Sequence, residues 1–154
     1  MNKQIYGILF RQYKALELLY ELMQEEFTLL QERRSSEVSN LEFSIHELLR
    51  QIAGERLDLR NLLGDITLLD YANLLPEEEA EELRSLFHKI DKLEQTTARQ
   101  ATFNTEISLA LLDQSQSMLS FLHDSFIPKN NTIYGDKGLV KEQRPEAVLF
   151  RGRL

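Results

Sequence analysis

Apolar residues recur along the first thirty positions of this chain at alternating steps of three and four. Tyr6, Leu9, Tyr13, Leu16, Tyr20, Met23, Phe27 and Leu30 hold that spacing without a miss, which is the seam of a helix packed along another helix. Leu19, Leu22 and Leu29 widen the stripe to what a bundle core requires. Tyr13 and Tyr20 read as core packing with their hydroxyls at the rim. No break precedes Arg33, so the first helix is expected to reach it.

A second stripe follows a short turn at Arg34-Ser35-Ser36. Val38, Leu41, Ile45, Leu48, Ile52, Glu55, Leu59 and Leu62 repeat the seam, and Glu55 alone violates it. Ser39-Asn40-Leu41-Glu42 fits a capping box, with Ser35 or Ser36 as earlier caps. A connection this short makes the two helices antiparallel neighbours. Gly64 is placed to cap the second helix, and Asp65 to cap a brief one near 66–74.

The third long helix opens at Pro76, a residue favoured in a first turn, followed by Glu77, Glu78 and Glu79 where the helix dipole favours negative charge. Helical signals run to Phe126 or Ile127, and Pro128 ends them. Between Glu94 and Glu106 the face turns small and polar, with Thr96, Thr97, Ala98, Ala101, Thr102 and Asn104. Beyond it Ile107, Leu111, Met118, Phe121 and Leu122 restore an apolar stripe.

At about 1.5 Å per residue the first helix spans roughly 45 Å and an unbroken third roughly 75 Å. Two arrangements follow. Either the third helix overhangs the others and its late stripe is bare, or it breaks near 94–106 and folds back as a fourth helix. We favour the overhang. The expectation is therefore all-α: an antiparallel bundle of three long helices over 1–127, a short extra helix near 66–74, and a flexible C-terminal tail over 128–154. Within the tail, Val148-Leu149-Phe150 is an apolar knot able to dock on a partner or on the bundle.

Composition narrows the function. Gly and Pro number only six and three, and five of those nine follow position 127. Cysteine is absent, which removes disulfides and thiolate metal sites and fits a reducing compartment. No stretch has the apolar length of a secretory signal or a membrane helix, so the expected location is the cytoplasm, without membrane insertion. Net charge is −7, while the segment from Pro128 carries six basic and three acidic residues. The remaining body is strongly acidic, which disfavours nucleic acid.

Catalytic and metal-binding constellations are missing. His46-Glu47 begins a zinc-protease motif, but Arg50 stands at the second ligand position. Phe43, Ser85 and Ser120 stand three before His46, His88 and His123, where a di-iron bundle needs glutamate. No glycine-rich phosphate loop is present, and Glu55 is a single carboxylate without a partner. The expectation is no enzyme, no metal and no cofactor. A bare apolar stripe suits capture of an amphipathic helix, with Leu111, Met118 and Phe121 as anchors. The same residues also suit a core or a homodimer seam, and periodicity does not separate these readings.

Asn131-Thr132-Ile133-Tyr134-Gly135-Asp136-Lys137-Gly138 resembles the Tyr-Gly-x-x-Gly element that closes FlgN-type flagellar export chaperones. As in that family, it follows a long helix with a late leucine pair, here Leu111-Leu112. Ile133 intervenes where the family has Thr directly before the Tyr. Where the family often pairs two asparagines three apart, this chain has Asn104 and Ile107. The resemblance implies a cytoplasmic chaperone of the hook–filament junction proteins, which prevents their premature assembly. It would hold the client's C-terminal amphipathic helix at Ile107, Leu111, Met118, Phe121 and Leu122. Tyr134, Gly135 and Gly138 would serve docking at the flagellar export gate. The alternative is a structural coiled-coil adaptor or homodimer with no client.

Overall fold

The computed structural model describes residues 2–126. The tail motifs, with Tyr134, Gly135, Gly138 and the Val148–Phe150 knot, lie outside the described residues. Four helices follow one another: α1 (Asn2–Gln31), α2 (Ser35–Leu63), α3 (Leu68–Ala72) and α4 (Glu77–Phe126). Among the described residues there is no strand, and the all-α expectation with three long helices holds. Contacts divide the chain into two units, residues 1–115 and residues from 116 onward.

Within residues 1–115 the helices run up, down and up. Arg11 on α1 pairs with Glu55 on α2, and Leu29 and Leu30 cluster with Val38, so α1 and α2 are antiparallel. Glu94 of α4 pairs with Arg56, and Ile107 and Leu111 pack beside Val38 and Leu41, so α4 opposes α2 and runs parallel to α1. The core gathers Ile5, Leu9, Leu16 and Leu19 from α1, Ile45 and Ile52 from α2, and Leu83 and Ile90 from α4. Tyr71 and Ala72 of α3 join the same cluster. Each buried leucine or isoleucine contributes about 1.5–3 kcal/mol.

The buried face of α1 takes in Leu9, Leu16, Met23 and Leu30 of its 3-4 seam and extends beyond it on one side. Ile5, Ile8, Gln12, Ala15 and Leu19 are buried, whereas Tyr6 is 41% exposed. The helix has two neighbours, so its covered stripe is wide and centred between them. Tyrosines sit at the edge of such a stripe, where ring and hydroxyl meet different surroundings.

The helix ends show which local signals act. Arg33 adopts φ 58°, its N–H donates to Leu30 O at 3.1 Å, and Arg34 N–H donates to Leu29 O at 3.0 Å. This is a Schellman closure with arginine where glycine is usual. Reversing direction so tightly starts α2 at Ser35, with no side-chain cap from Arg34. Ser39 therefore lies inside the helix, its hydroxyl donating to Ser35 O at 3.2 Å, and the expected capping box does not form. Gly64 does close α2, at φ 62° with its N–H on Arg60 O. Thr67, not Asp65, caps α3 by accepting from Asp70 N–H. Pro76 falls one residue before α4, its carbonyl accepting from Ala80 N–H at 2.9 Å.

α4 does not break between Glu94 and Glu106, so there is no fold-back there. Its small polar residues are satisfied without unwinding. Thr97, Thr102 and Thr105 donate back to the carbonyls of Leu93, Ala98 and Ala101 in their own helix. Asn104 is tied to α1.

Candidate functional site

The apolar stripe foreseen at the end of α4 changes character along its length. Ile107 and Leu111 are half-buried, packed against Leu29, Leu30 and Val38 where α1 turns into α2. From Leu112 to Phe126 every residue is exposed. Met118 is 63%, Phe121 70% and Leu122 36% exposed. Sharing one side of a helix at 100° per residue, they form a continuous apolar strip. Leu112, Leu119 and Phe126 are exposed as well and recur every seven residues. That heptad is visible in the sequence, beside the stripe through Met118 and Phe121.

Two of the four serines in this segment turn their hydroxyls back on the helix. Ser115 donates to Leu111 O at 2.9 Å and Ser125 to Phe121 O at 2.7 Å. Among the described residues no ion pair involves Leu112–Phe126. The surface there offers dispersion and apolar area with little charge, which fits the apolar side of an amphipathic helix. Met118 brings an unbranched, flexible side chain to the strip.

Charge is concentrated along the helices of residues 1–115. Arg11 grips Glu55 with two bonds of 2.7 and 2.9 Å. The Glu55 side chain is 12% exposed and that of Arg11 55%, so the one break in the α2 seam is a carboxylate clasped from the rim. The bond to Glu55 holds the Arg11 guanidinium above its ordinary pKa. Glu94 meets both Arg56 and the Gln12 amide, joining the three long helices in a polar layer. Lys14 donates to Glu17 at 2.7 Å and thereby holds the Glu17 carboxyl below its usual value.

Nothing among these groups converges as an active site does. His46, His88 and His123 are exposed and lie on separate stretches of helix. Among the described residues no three His, Cys, Asp or Glu side chains are placed to hold a metal ion. A shallow hollow of about 610 Å³ between α1 and α4 is lined by Tyr6, Phe10, Tyr13, Glu78, Glu82 and Lys89 among others, without a nucleophile–base pair. Among the described residues no helix is long and apolar enough to cross a membrane.

Four helices, three of them long, with no strand among the described residues define the class: all-α bundle proteins. The family follows from most of the sequence. The FlgN family model, described as FlgN protein, matches residues 1–142, and the chain belongs to that family of flagellar export chaperones. Its members are chaperones and not enzymes. No curated protein and no solved structure matches the chain significantly.

Proposed function

We propose that this chaperone acts in the cytoplasm on the hook–filament junction proteins, holding the C-terminal amphipathic helix of each until export. The observation that carries this reading is the exposed strip Met118, Phe121 and Leu122. Ile107 and Leu111 border the strip where the bundle packing thins, and Leu119 and Phe126 widen it. A client helix laid along α4 buries these side chains and keeps its own apolar side from premature assembly. Burial of about five such anchors, less the cost of association, supports affinity on the order of micromolar to nanomolar. No cofactor takes part, since the exchange is one of helix packing.

Delivery to the export gate is assigned to Tyr134, Gly135 and Gly138 on the strength of the family element they form. Tyr134→Ala should leave client affinity unchanged and reduce export of the client.

The test is calorimetric titration of the full chain with C-terminal segments of the two junction proteins from the same genome. Saturable binding on the order of micromolar or tighter, lost in Phe121→Asp, supports the reading. Absence of binding by a folded, helical chain overturns it. A concentration-dependent dimer that hides the strip would then favour the homodimer alternative.

A further inference from the structure

Three polar contacts tie α4 to α1, one after another along their parallel course, and a fourth ties it to the turn after α1. Asn2 reaches Glu79, and the Gln12 amide donates to Glu94 at 3.3 Å. The Asn104 amide donates to Met23 O at 2.8 Å and to Glu26 at 2.6 Å. Arg33 donates to Gln114 at 2.9 Å. Each rung joins residues separated by 77 to 82 positions, so the two helices advance in step.

The Asn104 rung differs from the others in kind. Asn104 is 4% exposed, and both hydrogens of its amide are used across the interface, one of them on a backbone carbonyl. Its oxygen accepts from Gln100 at 3.0 Å. A carbonyl in a helix cannot change rotamer, so this bond fixes a position along the α1 axis rather than a side-chain pairing.

The position of Asn104 in the heptad gives that bond its consequence. Leu83, Ile90, Thr97, Asn104, Leu111 and Met118 stand seven apart on one side of α4. The first four are buried, Leu111 is half-buried and Met118 is exposed. A wholly apolar column can slide by one heptad and bury itself again, because each residue lands where a similar one stood. Here the same slide would put Leu111 in the place of Asn104 and Asn104 in the place of Thr97. Met118 would move to the place of Leu111, beside Leu29, Leu30 and Val38. The buried amide would lose Met23 O and Glu26. Thr97 bonds only within its own helix, to Leu93 O, and would carry that bond with it, whereas Asn104 bonds across the interface; a polar residue so placed in a mainly apolar seam can set register at some loss of stability.

We propose that Asn104 is the register pin of α4 on α1, and that it thereby keeps Met118 uncovered. The link to client capture rests on the function proposed above; the register itself does not.

Because the chain has no cysteine, paired cysteines can read the register in the full-length protein. Glu17 and Lys92 line one hollow between α1 and α4, and Arg99 lies one heptad beyond Lys92. With a short bis-maleimide, Glu17→Cys/Lys92→Cys should cross-link at least about ten-fold faster than Glu17→Cys/Arg99→Cys. Adding Asn104→Leu should bring the two rates within about three-fold while helicity by circular dichroism is retained. Gln12→Leu, which leaves Glu94 its partner Arg56, should keep the original ratio.

An unchanged ratio in a folded Asn104→Leu protein overturns the proposal and assigns the register to the 64–76 connection. A dimer formed without a change of ratio also overturns it, as does an equal shift in Gln12→Leu. Should Asn104→Leu fail to fold, Asn104→Ala carries the test, with a shift of at least about three-fold expected and an unchanged ratio decisive against the pin. If the register shifts and client affinity does not fall, the client reading fails and the pin stands.

Discussion

α1 and the later part of α4 carry the same apolar periodicity and use it differently. α1 buries Ile5, Leu9, Leu16 and Leu19 against two neighbours. On α4, Leu83 and Ile90 are buried likewise, but Met118 and Phe121 are bare. An apolar side chain at a heptad position has no fixed meaning in itself; it becomes core or docking surface according to whether a neighbouring helix covers it. α2 begins at Ser35, and the packed cluster built on Leu29, Leu30 and Val38 takes in no residue of α4 beyond Leu111.

The comparison breaks most sharply in the core. Leu19→Ala and Leu83→Ala each remove a side chain that is almost wholly buried, and each should lower unfolding free energy by about 2–5 kcal/mol in urea titration. Equal losses would show α1 and the first half of α4 to be one cooperative core. Loss from Leu19→Ala alone, with Leu83→Ala near neutral, would mean that α4 is held by its polar rungs and that the likeness of the two helices ends earlier than Leu111.

A smaller effect separates covered from bare positions on α4 itself. Leu111→Asp places a carboxylate beside Leu29, Leu30 and Val38 and should cost about 1–3 kcal/mol. Phe121→Asp should change stability by less than about 0.5 kcal/mol and yet abolish client binding. A Phe121→Asp protein destabilised as much as Leu111→Asp would make the strip core and remove the proposed site.

These positions also show what the sequence carries. Heptad spacing, Gly64 and the uninterrupted run to Phe126 were enough for three long helices, because each is a local property of the chain. The widening of the α1 stripe to Ile5, Ile8, Gln12 and Ala15, with Tyr6 left at its edge, was not legible, since it depends on two neighbours and not one. Ser39 misled because a capping box and a helical Ser with its hydroxyl on the preceding turn look alike in sequence; the left-handed Arg33 decided between them. Asn104 stood within a segment that resembled a hinge. Its partners, Met23 O and Glu26, are about 80 positions away, and a backbone carbonyl leaves no trace in a sequence pattern. The candidate strip was legible as apolar spacing, and its exposure as the excess of the third helix's length over the first's; that Ile107 and Leu111 are half-buried against Leu29, Leu30 and Val38 was not.

The smallest expected effect concerns the solvent side of α1, which carries ion pairs where the end of α4 carries apolar side chains. Lys14 donates to Glu17 at 2.7 Å, and this bond holds the Glu17 carboxyl below its ordinary value of 4.5. A carboxyl whose folded pKa lies below its unfolded one adds stability above the unfolded value and loses it as pH falls through the folded value. The pair is exposed and screened by salt, so the change in thermal midpoint below pH 4.5 should be slight. The titration itself is the sharper measurement. By NMR, Glu17 should titrate below 4.5 and rise towards it in Lys14→Met, the Tyr13 hydroxyl still holding part of the depression. No rise at all would place the cause on the Tyr13 hydroxyl, and the contrast between a charge-paired helix and a bare apolar one would lose one of its examples.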